Sequence, residues 1–87
     1  MRIKVLYRPE FIRIYNKLEN TLQEEVREKI SEFKDRSNHH RLKVHKLHGR
    51  LRGVCSFSVN YKYRIFFEYI DKNIAAIVSI GDHDVYK

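Results

Sequence analysis

The sequence predicts an α+β domain: an N-terminal strand, two helices, then a three-stranded antiparallel meander, forming one sheet with the helices on one face. Three observations predict it. Residues 2–7 alternate, with Ile3, Val5 and Tyr7 on one side and Arg2, Lys4 and Leu6 on the other. Residues 9–36 carry apolar side chains at helical spacing. From Cys55 onward the chain alternates again, broken by short polar turns.

Pro9 follows the first strand and suits a first helical turn, because its φ is already set for helix. Phe11, Ile12, Tyr15 and Leu18 continue at helical spacing. Thr21 is expected to cap the second helix, with Glu24 completing a capping box. Leu22, Val26, Ile30 and Phe33 then recur in steps of four, four and three, so this stripe should be core. Glu25 with Lys29 and Glu32 with Arg36 are spaced to pair along the helix. Residues 37–41 are polar and read as a loop.

In the meander, Cys55, Phe57, Val59 and Tyr61 alternate with Ser56, Ser58 and Asn60. Tyr63, Ile65, Phe67 and Tyr69 alternate with Lys62, Arg64, Phe66 and Glu68. Asp71, Lys72 and Asn73 form a turn. Residues 74–80 are small and branched, as in a buried central strand, and Gly81 is expected to end it. With helices on one face, Ser56, Ser58 and Arg64 fall on the other, where they would floor an anion site.

At 87 residues the chain is expected to form a single domain, residues 1–87. The net charge of +7 points to nucleic acid, an acidic protein or an anionic surface. The single cysteine, Cys55, cannot form an internal disulfide and reads as a packed thiol. The first ten residues, MRIKVLYRPE, hold no apolar stretch of signal-peptide length, and no transmembrane span is seen. A cytoplasmic protein without a membrane partner is therefore expected.

Several chemistries lack support. His45 and His48 have HxxH spacing and His39 and His40 adjoin, but there is no CxxC and no HExxH, so no metal site and no cofactor are expected. No serine sits in a G-x-S-x-G setting, and three scattered glycines make no phosphate loop. RNA cleavage suits the inventory better. The RNA's own 2′-hydroxyl attacks the adjacent phosphate, so the protein must orient the chain, stabilise charge and move protons. His45 and His83 are the proton-transfer types, Arg64 the phosphate clamp and Tyr86 the aromatic that stacks or hydrogen-bonds. Lys43, Lys46, His48, Arg50, Arg52 and Lys62 supply diffuse contacts to phosphate.

The run His45-Lys46-Leu47-His48-Gly49, then Gly53, then Tyr63-Arg64 before apolar strand residues, then the run from Ile80 to Tyr86, resembles the C-terminal half of the RelE/ParE toxin superfamily. The likeness is nearest to the RelE/StbE and YafQ-like messenger-RNA interferases, and the N-terminal strand and helix pair follow the same order. The resemblance implies the toxin of a type II toxin–antitoxin pair: a ribosome-dependent, metal-independent mRNA endonuclease that inhibits translation. It also implies a cognate acidic antitoxin that folds on binding.

By position, the resemblance makes Arg64 the contact to the scissile phosphate, His83 the general acid, Tyr86 the substrate-orienting aromatic and His45 a proton acceptor or phosphate ligand. His48 is the alternative base. The chain also departs from the pattern. Some RelE members carry two lysines on the second strand, where Cys55 and Phe57 are the nearest positions. YafQ-like members carry a further histidine near Ser58. Two other readings stay open: a ParE-like gyrase inhibitor without enzymatic activity, and a catalytically degenerate antitoxin binder. Histidines at both His45 and His83 favour the nuclease over the gyrase inhibitor.

Overall fold

A computed structural model describes residues 2–48 and 53–82. Its elements run β1 (Lys4–Tyr7), α1 (Pro9–Tyr15), α2 (Asn20–Phe33), a 3₁₀ turn (Arg36–Asn38), β2 (His45–Lys46), β3 (Cys55–Ser58), β4 (Tyr63–Asp71) and β5 (Ile74–Asp82). The strands form one sheet in the order β1-β5-β4-β3-β2. β1 lies parallel to β5, and the remaining pairs are antiparallel. The α+β expectation holds, with one strand added: the meander is extended by the two-residue β2 inside the histidine-rich segment.

Both helices pack on one face. Leu22, Val26, Ile30 and Phe33 are all buried, as their spacing requires. They meet Phe11 from α1 and Ile3, Phe57, Ile65, Phe67, Ala75, Ile77 and Ile80 from the sheet side. Phe33 is the hub. Its ring stacks on Phe57 with centroids 4.5 Å apart, and meets Phe67 edge-on at 4.7 Å. On its other flank lies the His39 ring, 4.7 Å away and 2° from parallel, with Nε2 2.7 Å from the Phe33 carbonyl oxygen.

β5 presents an apparent conflict of parity, because Ile77 and Ile80 are an odd number of residues apart yet both are core. A bulge resolves it. Phe66 pairs with Ser79 and Phe67 with Ile77, so Val78 is the extra residue. Ala75 and Ile77 therefore share the helix-side face with Ile80, while Ser79 and Gly81 turn to the other.

Several local expectations are corrected. The α2 N-cap is Glu19, with no side-chain cap hydrogen bond, so Thr21 and Glu24 lie inside the helix and form no capping box. Glu32 pairs with Arg41 at 2.7 Å and Lys29 at 3.8 Å instead of Arg36. Arg36 donates to the Lys72 carbonyl and lies 6.0 Å from the centre of the Tyr69 ring. Glu25 accepts from Asn60 at 3.2 Å instead of meeting Lys29. Tertiary partners outcompete helix neighbours because exposed i,i+4 pairs gain only a few tenths of a kcal/mol. β3 stops at Ser58, since Asn60 turns the chain there, and Gly81 lies within β5 instead of ending it. Cys55 is free and 3% exposed, the packed thiol that was expected. No helix among the described residues is long and apolar enough to cross a membrane.

Candidate nucleic-acid interface

The sheet face away from the helices carries the polar set, and the register places it residue by residue. Paired residues project to the same side of a sheet. One row crosses four strands: His45 opposite Ser56, Ser56 opposite Phe66, Phe66 opposite Ser79. The next row holds Ser58, Arg64 and Gly81.

Arg64 is half-buried, and its Nη1 donates to Ser58 Oγ at 3.3 Å. Its neighbour on β5 is Gly81, which has no side chain to fill the space beside the guanidinium. The ion pairs among the described residues are those of Glu32, so no carboxylate there neutralises Arg64. The result is a cation on a central strand, with a serine hydroxyl on its β3 side and a glycine on its β5 side. That arrangement suits a phosphate oxygen.

His45 lies on the edge strand β2 and is exposed. Its Nδ1 is 2.9 Å from the Lys43 carbonyl oxygen. A carbonyl only accepts, so Nδ1 carries a proton in this hydrogen bond, and Nε2 is the ring nitrogen that the Lys43 carbonyl does not engage. Lys43 holds φ at 59°, a left-handed conformation that non-glycine residues adopt at a cost. That unusual backbone aims its carbonyl at the imidazole. Strand spacing and rise place the Cα atoms of His45 and Arg64 about 12 Å apart. Between them on that face lie Ser56 and Phe66, which are buried.

The other basic residues divide. Lys46 pairs with Cys55 and so has the helix-side parity, away from the Arg64 face. Lys43 and His48 are exposed near the β2 end of the sheet. Lys62 lies in the β3–β4 turn, its Nζ 5.3 Å from the centre of the Tyr63 ring. Arg50, Arg52, His83 and Tyr86 lie outside the described residues. Among the described residues no group of three or more His, Cys, Asp or Glu side chains could hold a metal ion.

The register agrees with the sequence on which β3 residues share a face with Arg64: Ser56 and Ser58, while Cys55 and Phe57 point into the core. Residue parity contains that signal. What sequence reasoning missed was the role of Ser58 as a partner to Arg64 and of the Lys43 backbone as a partner to His45. A cavity among the described residues lies elsewhere: a 510 Å³ groove between the helices and β1, lined by Phe11, Ile12, Tyr15 and Ile30 with Arg27 and Lys34 among its polar residues. It is an apolar groove on the helix side of the sheet.

The mixed sheet with this strand order and two helices on one face is an α+β fold similar to that of RelE-like structures. No family model and no curated protein matches the sequence. Solved structures do match its fold. The archaeal RelE–RelB complex from Pyrococcus horikoshii aligns over 98% of this chain and 99% of that one, with TM-score 0.72 and 14% identity. YafQ from E. coli aligns over 95% of this chain and 96% of that one, with TM-score 0.71 and 10% identity. The YoeB dimer from Staphylococcus aureus aligns over 95% and 99%, with TM-score 0.63 and 20% identity.

Proposed function

We propose that this chain is the toxin of a type II toxin–antitoxin pair and acts as an endoribonuclease on messenger RNA at the ribosome. The observation that carries the reading is Arg64: a half-buried guanidinium without a carboxylate partner among the described residues, bonded to Ser58 and flanked on β5 by Gly81. His45, with Nδ1 tied to Lys43, supports it.

The reaction needs no protein nucleophile. The ribose 2′-oxygen forms a bond to the adjacent phosphorus, the bond to the 5′-oxygen breaks, and a 2′,3′-cyclic phosphate is left. Nε2 of His45 takes the 2′-hydroxyl proton. His83 gives a proton to the leaving 5′-oxygen, and Tyr86 orients the chain. Arg64 neutralises the charge that builds on the phosphate in the transition state. The positive face that draws RNA also draws an acidic antitoxin segment, which would fold as it binds. The RelE–RelB complex from Pyrococcus horikoshii and the YoeB–YefM complex from Staphylococcus aureus, both similar in fold, support such a partner.

The test is cleavage of a reporter mRNA in a purified translation system by wild type, Arg64→Ala and His83→Ala. Cuts at defined sites on translating ribosomes, with both variants down ~10²-fold or more, are expected. A wild type that arrests cells without cutting would overturn the reading and make DNA gyrase the next target to assay.

A further inference from the structure

We infer that the turn between β3 and β4 is a stacking platform for an unpaired nucleobase, with Tyr61 as the ring and Lys62 as the phosphate contact. The inference rests on the RNA-binding reading above and adds a subsite that the cleavage chemistry does not require. Tyr61 is 95% exposed, by far the most exposed of the large hydrophobic side chains described. Yet the turn that carries it is tightly built. Asn60 Oδ1 accepts from the backbone N–H of both Lys62 and Tyr63 at 2.9 Å, and the Val59 N–H donates to the Tyr63 carbonyl at 2.9 Å. Asn60 Nδ2 ties the whole turn to Glu25 on α2. A rigid backbone holding a fully solvated ring loses little entropy when that ring is covered.

The surroundings select the ligand. A protein hot spot sits in a well-packed, desolvated pocket, whereas Tyr61 is 95% exposed between Asn60 and Lys62. A membrane contact needs a broader apolar face. A lone ring beside an ammonium suits single-stranded nucleic acid, in which a π-face and a phosphate recur together. Ser58 and Arg64 form the strand pair next to this turn, so Tyr61 and Arg64 lie at the same end of the β3–β4 ladder. The 260 Å³ cleft beside the tip is bordered by Glu19 and Glu25. Their charge turns phosphates away from α2 and toward Lys62.

The probe is a fluorescently labelled single-stranded oligoribonucleotide with 2′-O-methyl riboses, which cannot be cut, alongside an abasic oligomer of equal charge. Binding is read by anisotropy, and cutting in the translation system above. Tyr61→Ala is expected to weaken binding of the base-bearing probe, or cutting of ribosomal mRNA, about tenfold. Tyr61→Phe should stay within twofold of wild type, and the abasic probe should bind wild type and Tyr61→Ala equally. An unchanged thermal midpoint for Tyr61→Ala confirms that folding is intact. If Tyr61→Ala equals wild type in both readouts, or if the abasic probe loses as much as the base-bearing one, stacking is overturned and the nuclease reading stands. If wild type neither binds nor cuts, both readings fall.

Discussion

Arg64 and Ser58 face each other across the β3–β4 pair, with the guanidinium Nη1 donating to the serine hydroxyl at 3.3 Å. Arginine side chains are long and lose much rotamer freedom when fixed, so a hydroxyl that holds one reduces the entropy lost when phosphate arrives. Ser58→Ala should lower cleavage roughly three- to tenfold, well short of the loss from Arg64→Ala. Arg64→Lys should also lose most activity, because an ammonium cannot make the two parallel bonds of a guanidinium. Cleavage rates on ribosomes at saturating toxin separate the three variants. A Ser58→Ala rate equal to wild type would remove Ser58 from the site.

Phe33 holds the two layers together. It is completely buried, and Phe57, Phe67 and His39 all pack against its ring. Truncating it opens a large cavity between helix and sheet in a domain with little stability to spare. Phe33→Ala should cost about 3–5 kcal/mol, and Phe33→Leu noticeably less. The urea midpoint of each variant gives the answer, and a loss below about 1 kcal/mol for the alanine would contradict the packing described.

Ser56 makes the opposite case. Its side chain is 0% exposed, and its Oγ has no hydrogen-bond partner. A buried hydroxyl without a partner has given up water for nothing, so its removal should help the fold. Ser56→Ala is expected to stabilise by about 1 kcal/mol, read as a higher urea midpoint at unchanged slope. If the variant is less stable instead, the hydroxyl must bond something in solution. Cleavage by Ser56→Ala should match wild type, because an oxygen so enclosed cannot reach a phosphate.

The features legible in the sequence are those that follow a regular period. The α2 stripe is buried at every position its spacing marks, and the parity of Ser58 and Arg64 puts both on the face without helices. What the sequence concealed depends on irregular backbone or distant partners. Residues 74–78 are apolar throughout, so no alternation betrays the bulge at Val78. A left-handed turn residue is ordinarily marked by Gly or Asn, and Lys43 carries no such mark. Thr21 and Glu24 have the spacing of a capping box, but the chain enters α2 one residue before Asn20, at Glu19. Glu32 finds Arg41 because the 3₁₀ turn folds the chain back beside α2, a route that pairwise spacing does not encode. His83 and Tyr86 rest on resemblance alone, since they fall outside the described residues.

Alkaline pH should unfold this protein through protons it holds more tightly than the unfolded chain. Burial raises the Cys55 thiol above its ordinary 9.0, although the Lys46 charge pulls the other way. Burial also raises the Tyr7 and Tyr69 phenols above 10.0, with Arg36 opposing the effect at Tyr69. In each case the folded state keeps the proton at a pH where the unfolded state has begun to release it. Fewer protons bound in the unfolded state means that stability falls as pH rises. The urea midpoint should therefore be level with respect to these groups below pH about 8.5 and decline above about 9, first through the thiol and then through the phenols. Cys55→Ala should flatten the first part of that decline, and Tyr7→Phe with Tyr69→Phe the later part. The slopes carry the information, since Cys55→Ala also shifts the baseline by removing a packed side chain. In the same pH range the native thiol should react with iodoacetamide far more slowly than the unfolded one, because desolvation that raises the thiol's proton affinity also withholds the thiolate. A Cys55→Ala variant whose alkaline slope matches wild type would show that the thiol ionises alike in both states.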